Sequence, residues 1–174
     1  MHWKILGSQY VLNHPWMKVR KDICELPDGT IIDDYYWIES PDNTLVVPIT
    51  PQGDFVVVKQ YKHGAKEVLI EFPGGVMDFG EEALAGAQRE LLEETGYGDG
   101  IWTFLDAVYS GPTKSPARTH IFLAEGVISK QRQALDPEER IEVLTIDWKK
   151  LSAIGIKTCN SSLAMRLAAE KIGL

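Results

Sequence analysis

Residues 75–97 read GVMDFGEEALAGAQRELLEETGY, and the spacing inside this stretch decides how the rest of the chain is read. Gly75 is followed, after five intervening residues, by Glu81, and after seven more come Arg89 and Glu90; Glu93, Glu94 and Gly96 close the run. Residues 81–95 are expected to be helical, with Ala83, Leu84, Ala87, Leu91 and Leu92 as the packing stripe. On such a helix Glu90, Glu93 and Glu94 stand at i, i+3 and i+4, so their carboxylates project from one face within about 6 Å of each other. Three like charges there repel.

A solvated acidic face is the ordinary fate of a Glu-rich helix, and it accounts for the helix alone. It gives no purpose to Pro73-Gly74-Gly75 ahead of it, where the backbone can turn sharply and point carbonyls inward. Clustered carboxylates beside a carbonyl are the oxygen donors that Mg²⁺ or Mn²⁺ takes, with water and substrate phosphate completing the shell. The stretch therefore reads as a metal-binding loop and helix.

Outward from it, the 174 residues fit one domain with a core of its own. Hydrophobic residues at 44% and charged residues at 25% are those of a soluble globular protein, and no apolar run approaches the length of a bilayer span. Met1-His2-Trp3-Lys4 carries no secretory signal pattern, and Cys24 and Cys159 lie apart without metal-ligand spacing. Two reduced thiols in a cytoplasmic protein, with no membrane association, is the expectation. A net charge of −7 with no Lys/Arg cluster argues against nucleic acid as a partner.

Strands are expected at residues 18–26 and 30–39, paired as a hairpin across Pro27-Asp28-Gly29. Residues 44–50 and 54–61 repeat that design across Pro51-Gln52-Gly53, and Phe55-Val56-Val57-Val58 suggests a strand buried on both faces. Further strands are expected at 68–72, 101–109, 119–124 and 140–146, and an amphipathic helix at 161–172. There is no internal repeat. The sum is an α/β sandwich with a mixed sheet.

Seven fixed positions in residues 75–97 would coincide by accident at a given start with odds on the order of 10⁻⁸ from average residue usage. Their pattern resembles the Nudix box, a loop, helix and loop that binds divalent metals and the pyrophosphate of a nucleoside diphosphate linked to another group. The resemblance implies a Nudix-type α/β/α sandwich, preceded by an N-terminal β-hairpin or sheet. The single domain 1–174 would then comprise dimerisation strands in 1–40 and a catalytic core in 41–174. Tyr97 stands where the family usually has an aliphatic residue. Beyond the box, Leu26-Pro27-Asp28-Gly29, Lys59-Gln60-Tyr61-Lys62, and Glu71-Phe72-Pro73-Gly74-Gly75 resemble the ADP-ribose pyrophosphatase branch, across roughly residues 16–147.

By position in that pattern, the carbonyl of Gly74 and the carboxylates of Glu90 and Glu94 would hold Mg²⁺ or Mn²⁺, with Glu93 as a further ligand or an anchor for one. Arg89 would clamp the carboxylates by bidentate hydrogen bonds, with Glu81 a partner for it. The bound metals would acidify the attacking water and neutralise charge on the phosphoryl oxygens. A general base in this branch comes from a mobile loop after the box; among the carboxylates of Asp136-Pro137-Glu138-Glu139-Arg140 and Glu142, Glu139 is the choice.

Substrate contacts implied in the same way are Trp16, Tyr36 or Trp37 stacking on the base, Pro112 fifteen residues beyond Tyr97, and Lys62. Each aromatic serves equally well as hairpin core. Lys62 replaces the more usual arginine and gives a point charge rather than a fork. His63 and His120 are phosphate donors or structural. Exchange of the N-terminal hairpin between two subunits would make a homodimer.

Three functions follow as expectations. The first is hydrolysis of ADP-ribose to AMP and ribose 5-phosphate; the second is the same chemistry on GDP-mannose or another small-molecule nucleoside diphosphate sugar. The third is a Nudix-fold ligand sensor without catalysis, and the intact set of Arg89, Glu90, Glu93 and Glu94 weighs against it.

Overall fold

Phe55, Val56, Val57 and Val58, all essentially inaccessible to solvent, form the middle of a sheet covered on both faces in the computed structural model, which describes Met1–Leu174. The strands here, in chain order, are β1 (Lys4–His14), β2 (Met17–Glu25), β3 (Ile31–Glu39), β4 (Asn43–Ile49), β5 (Phe55–Lys62), β6 (Glu67–Glu71), β7 (Tyr97–Gly98), β8 (Ile101–Tyr109), β9 (Arg118–Glu125), β10 (Ile128–Ser129) and β11 (Ile141–Ile146). The helices are α1 (Ala83–Thr95), α2 (Trp148–Ile154) and α3 (Cys159–Ile172). Contacts divide the chain into two compact units. One comprises Met1–Asp42 with Tyr109–Arg118, the other Asn43–Val108 with Thr119–Leu174.

The larger unit is built on a mixed sheet in the order β11-β5-β4-β9-β8, with β6 pairing β5 at Val58–Lys62, beyond the point where β4 leaves it. β4 runs parallel to β9 from Asn43 opposite Thr119 to Ile49 opposite Glu125. Side chains alternate across these strands. Val46, Val56, Phe122 and Ala124 face Ala87 and Leu91 of α1, while Leu45, Val47, Phe55, Val57, Ile121 and Leu123 face Leu151 of α2 and Ala164 and Ala168 of α3. The result is an α/β/α sandwich, and each large side chain so buried contributes about 1.5–3 kcal/mol.

The expected hairpin between residues 44–50 and 54–61 is only a stub. β4 and β5 pair at Ile49–Phe55 and then part. Residues 73–76 fill the gap between them: the N–H groups of Thr44 and Val46 donate to the carbonyls of Gly75 (2.8 Å) and Pro73 (2.9 Å), and Asn43 bridges Val76. Turn residues alone do not reveal such an insertion, because both flanking strands keep their own hydrophobic pattern.

The smaller unit is a three-stranded antiparallel sheet, β1-β2-β3, rather than a lone hairpin. Strand β1 escapes the sequence pattern for two reasons: bulges between Ile5 and Gly7 and between Tyr10 and Leu12 break the period of two, and nearly all its residues are exposed. Trp16 accordingly sits in the β1–β2 turn. Helix α2 also goes unread. Seven residues are too few to show a helical period, although Asp147 caps it by accepting the Lys150 N–H at 2.9 Å.

Candidate active site

Helix α1 begins two residues later than its spacing suggests because Glu81 belongs to the loop, where its carboxylate accepts the Asp78 N–H (3.0 Å). It ends at Gly96, whose φ of 74° suits glycine and whose N–H reaches the Leu92 carbonyl. Along the helix, Arg89 is engaged through all five of its donors. Nε and Nη2 grip the two oxygens of Glu81 at 2.9 and 3.0 Å; Nη1 donates to Glu90 (2.8 Å) and Glu93 (3.0 Å), and Nη2 also to the Val76 carbonyl (3.2 Å). With no N–H left over, Arg89 orders its own carboxylates. The fork from Arg89, aided by the Asp78 N–H, holds Glu81 at a pKa of about 2.

Glu94 is only 5% exposed and accepts the Gly74 N–H at 2.9 Å. Burial raises its pKa to about 8, the Gly74 bond opposing the rise and the charges of Glu90 and Glu139 adding to it. Burial also pushes Glu90 up, against the pull of Arg89. Space for Glu90 comes from Gly75: a Cβ there would lie 2.5–2.7 Å from the Glu90 carboxylate. Gly75→Ala is therefore expected to lower kcat by roughly tenfold or more while costing at most about 1 kcal/mol of stability, since a side-chain end rather than backbone must move; kcat and Tm together test this. Gly86, passed over by the spacing argument, acts similarly, leaving room within α1 for Glu81. A glycine inside a helix, costing about 1 kcal/mol against alanine, is the signal that marks it.

The Gly74 carbonyl is left out of the pairing that occupies its neighbours Pro73 and Gly75. No three His, Cys, Asp or Glu side chains converge in ligating geometry, because Glu90 and Glu93 turn to Arg89 while Glu94 turns to Gly74. The donors around this point are nonetheless all oxygens, and two of them are desolvated carboxylates. That set suits a hard divalent cation.

On β5, Lys62 Nζ stands 3.1 Å from Glu71 Oε2 without hydrogen-bond alignment, and its charge favours ionisation of Glu94. Glu139 closes a turn with Asp136, accepting its N–H at 3.1 Å, and its charge opposes ionisation of both Glu90 and Glu94. His63 meets the Tyr61 ring edge-on.

In the smaller unit, Trp3, Asp22, Tyr35, Trp37, Pro112 and Lys114 border a cavity of about 440 Å³. The Trp37 N–H donates to the buried Asp22 at 2.8 Å, and Arg20 lies over its ring at 5.4 Å. Trp3 meets Tyr35 edge-on at 5.4 Å. Trp37 and Pro112 thus share one aromatic slot. Trp16, 88% exposed, and Tyr36 lie outside its lining.

Comparison with known families finds the NUDIX domain over residues 39–161 and the nucleoside diphosphate sugar hydrolase N-terminal domain over residues 3–38. The ADP-ribose pyrophosphatase of Bacillus subtilis (strain 168) is 32% identical over 144 residues, covering 82% of this chain and 77% of its own. The methanol dehydrogenase activator of Bacillus methanolicus is 29% identical, covering 83% and 79%. Among solved structures, that of an ADP compounds hydrolase superposes with a TM-score of 0.87 over 99% of this chain and 95% of that one; at 20% identity it speaks for the fold.

Proposed function

The chain belongs to the Nudix hydrolase family, and we propose that it hydrolyses the diphosphate of a nucleoside diphosphate sugar with Mg²⁺ or Mn²⁺, ADP-ribose giving AMP and ribose 5-phosphate. The observation that carries this reading is the pair of desolvated carboxylates, Glu90 and Glu94, set beside the free Gly74 carbonyl on a helix locked by Arg89. Those three groups would hold the cation, which supplies charge neutralisation at the phosphoryl oxygens and acidifies water. Glu93, more exposed than Glu81 and Glu90, is a further ligand or an anchor through Arg89. Glu139 accepts the proton of the attacking water. Lys62 gives a point charge to a phosphate, and the Trp37–Pro112 slot takes the base, whose flat face any aromatic wall can cover. Trp16 and Tyr36, outside that slot, are the alternative stacking groups for the base.

A homodimer built on strands within residues 1–40 is part of the proposal, with residues 41–174 as the catalytic core. Its support is the number of exposed apolar side chains in β1 and β2, among them Ile5, Leu6, Val11, Leu12 and Met17. No helix is long and apolar enough to cross a membrane. Free thiols at Cys24 and Cys159 suit the reducing cytoplasm.

The test is phosphate-coupled turnover of ADP-ribose, GDP-mannose and NADH, each with Mg²⁺ and with EDTA. A preference for ADP-ribose that EDTA abolishes is expected; a preference for GDP-mannose moves the base assignment, and no metal-dependent turnover of any defeats the reading.

Burial of Glu94 gives a pH dependence. In the folded chain it keeps its proton up to about 8, whereas the ordinary group loses it near 4.5. The unfolded chain therefore binds fewer protons between these values, so this group's contribution to stability is full below 4.5 and lost as pH rises through about 8. A cation that takes the ionised group displaces the proton. Its Kd is expected to fall about tenfold per pH unit below pH 8 and to level off above it. Calorimetric Mg²⁺ titrations at several pH values check this, and a flat series would contradict it.

A further inference from the structure

The last carbonyls of a helix have no partner within it, and something must meet them. At the end of α1 that something is residues 130–134. The N–H groups of Lys130 and Gln131 donate to the Gly96 carbonyl (2.8 and 3.2 Å), and the Ala134 N–H donates to that of Glu93 (2.9 Å). Gln133 adds a side-chain contact: its Nε2 donates to the Glu94 carbonyl at 2.5 Å and to that of Ile141, the first residue of β11, at 3.2 Å. One amide group thus joins the turn of α1 that carries Glu93 and Glu94 to both ends of the seven-residue span 134–140.

Within that span the chain closes on itself. Glu139 and Asp136 bond each other in both directions, the Glu139 N–H to the Asp136 carbonyl at 3.0 Å and the Asp136 N–H to the Glu139 carboxylate at 3.1 Å. Arg140 Nη1 donates to the carbonyls of Pro137 (2.9 Å) and Glu139 (2.6 Å). A turn tied together internally moves as a body about its base. Its base is where Gln133 sits.

We propose that Gln133 is a positioning residue, which sets the turn bearing Glu139 against the carboxylate turn of α1. The inference rests on the role given to Glu139 above. A freed turn would leave the cation ligands in place and let Glu139 wander from the attacking water, so the loss falls on kcat rather than on KM.

Gln133→Met keeps length and removes both donors. With Mg²⁺ and ADP-ribose it is expected to lower kcat roughly tenfold with KM within about threefold, while amide exchange at Ala134, Asp136 and residues 138–140 rises about tenfold. In the Glu139→Gln background the same change is expected to alter kcat less than about twofold, because the group it positions is already disabled. Gln133→Asn, one methylene shorter, should match Gln133→Met.

Unchanged exchange in both variants overturns the proposal whatever the activity; where Glu139→Gln is itself impaired, so does kcat at the parent level in Gln133→Met or a full multiplicative loss in the double variant. Glu139→Gln at the parent rate defeats the base assignment alone; a rise in exchange in Gln133→Met then still upholds the tether.

Discussion

Glu94→Gln is expected to lower kcat by at least about a hundredfold while the protein folds as before. The substitution keeps shape and leaves an oxygen to accept the Gly74 N–H, so the contact that joins α1 to the loop survives. What it removes is a negative charge in a place where burial works against charge. In EDTA the variant should therefore melt at or slightly above the parent temperature near pH 8, where the parent begins to carry that charge. The rise in Tm that Mg²⁺ gives the parent should be absent. Scanning calorimetry with and without Mg²⁺, beside steady-state kinetics, reads both effects, and parent-level turnover would remove Glu94 from the cation site.

Arg89→Lys should be the most damaging conservative change in the chain. A guanidinium reaches Glu81, Glu90, Glu93 and the Val76 carbonyl at once, whereas an ammonium on a single stem can serve one or two of them. Glu93 is nearly half exposed and its pair is worth little. Glu81 and Glu90 are mostly buried and would lose their partner with charge retained or be protonated. A loss of about 2–4 kcal/mol is expected, together with a fall of at least about a hundredfold in kcat, since the carboxylates lose their orientation. Urea unfolding and kinetics test it. A stable variant of low activity would mean that Arg89 acts on the reaction more than on the fold.

Much of this was legible in the residues. The interval from Gly75 to Gly96 contains its whole helix and loop, so local spacing suffices to place Glu81, Arg89, Glu90 and Glu94 near one another. The buried run at 55–58 announces a central strand in the same way. Other features depend on partners far away along the chain. The parting of β4 from β5 follows from residues 73–76 lying between them, and Gln133 matters through carbonyls of Glu94 and Ile141 that no side-chain pattern announces. Strand β1 is hidden by its own bulges and exposure, and the aromatic slot is split between residues 3–37 and 112–116.

The wedge of residues 73–76 between two diverging strands bears on how the protein comes to be active. These residues dock on β4, and β4 aligns with β9, Asn43 opposite Thr119, so the backbone beside Glu90 and Glu94 takes its final place only after distant parts of the chain have met. Pairings of that range form slowly in a refolding chain. Helix α1, made of local contacts, can form well ahead of them. Cation affinity should therefore appear late on the refolding pathway, after helical structure is regained, and a metal-sensitive signal would time the completion of the sheet.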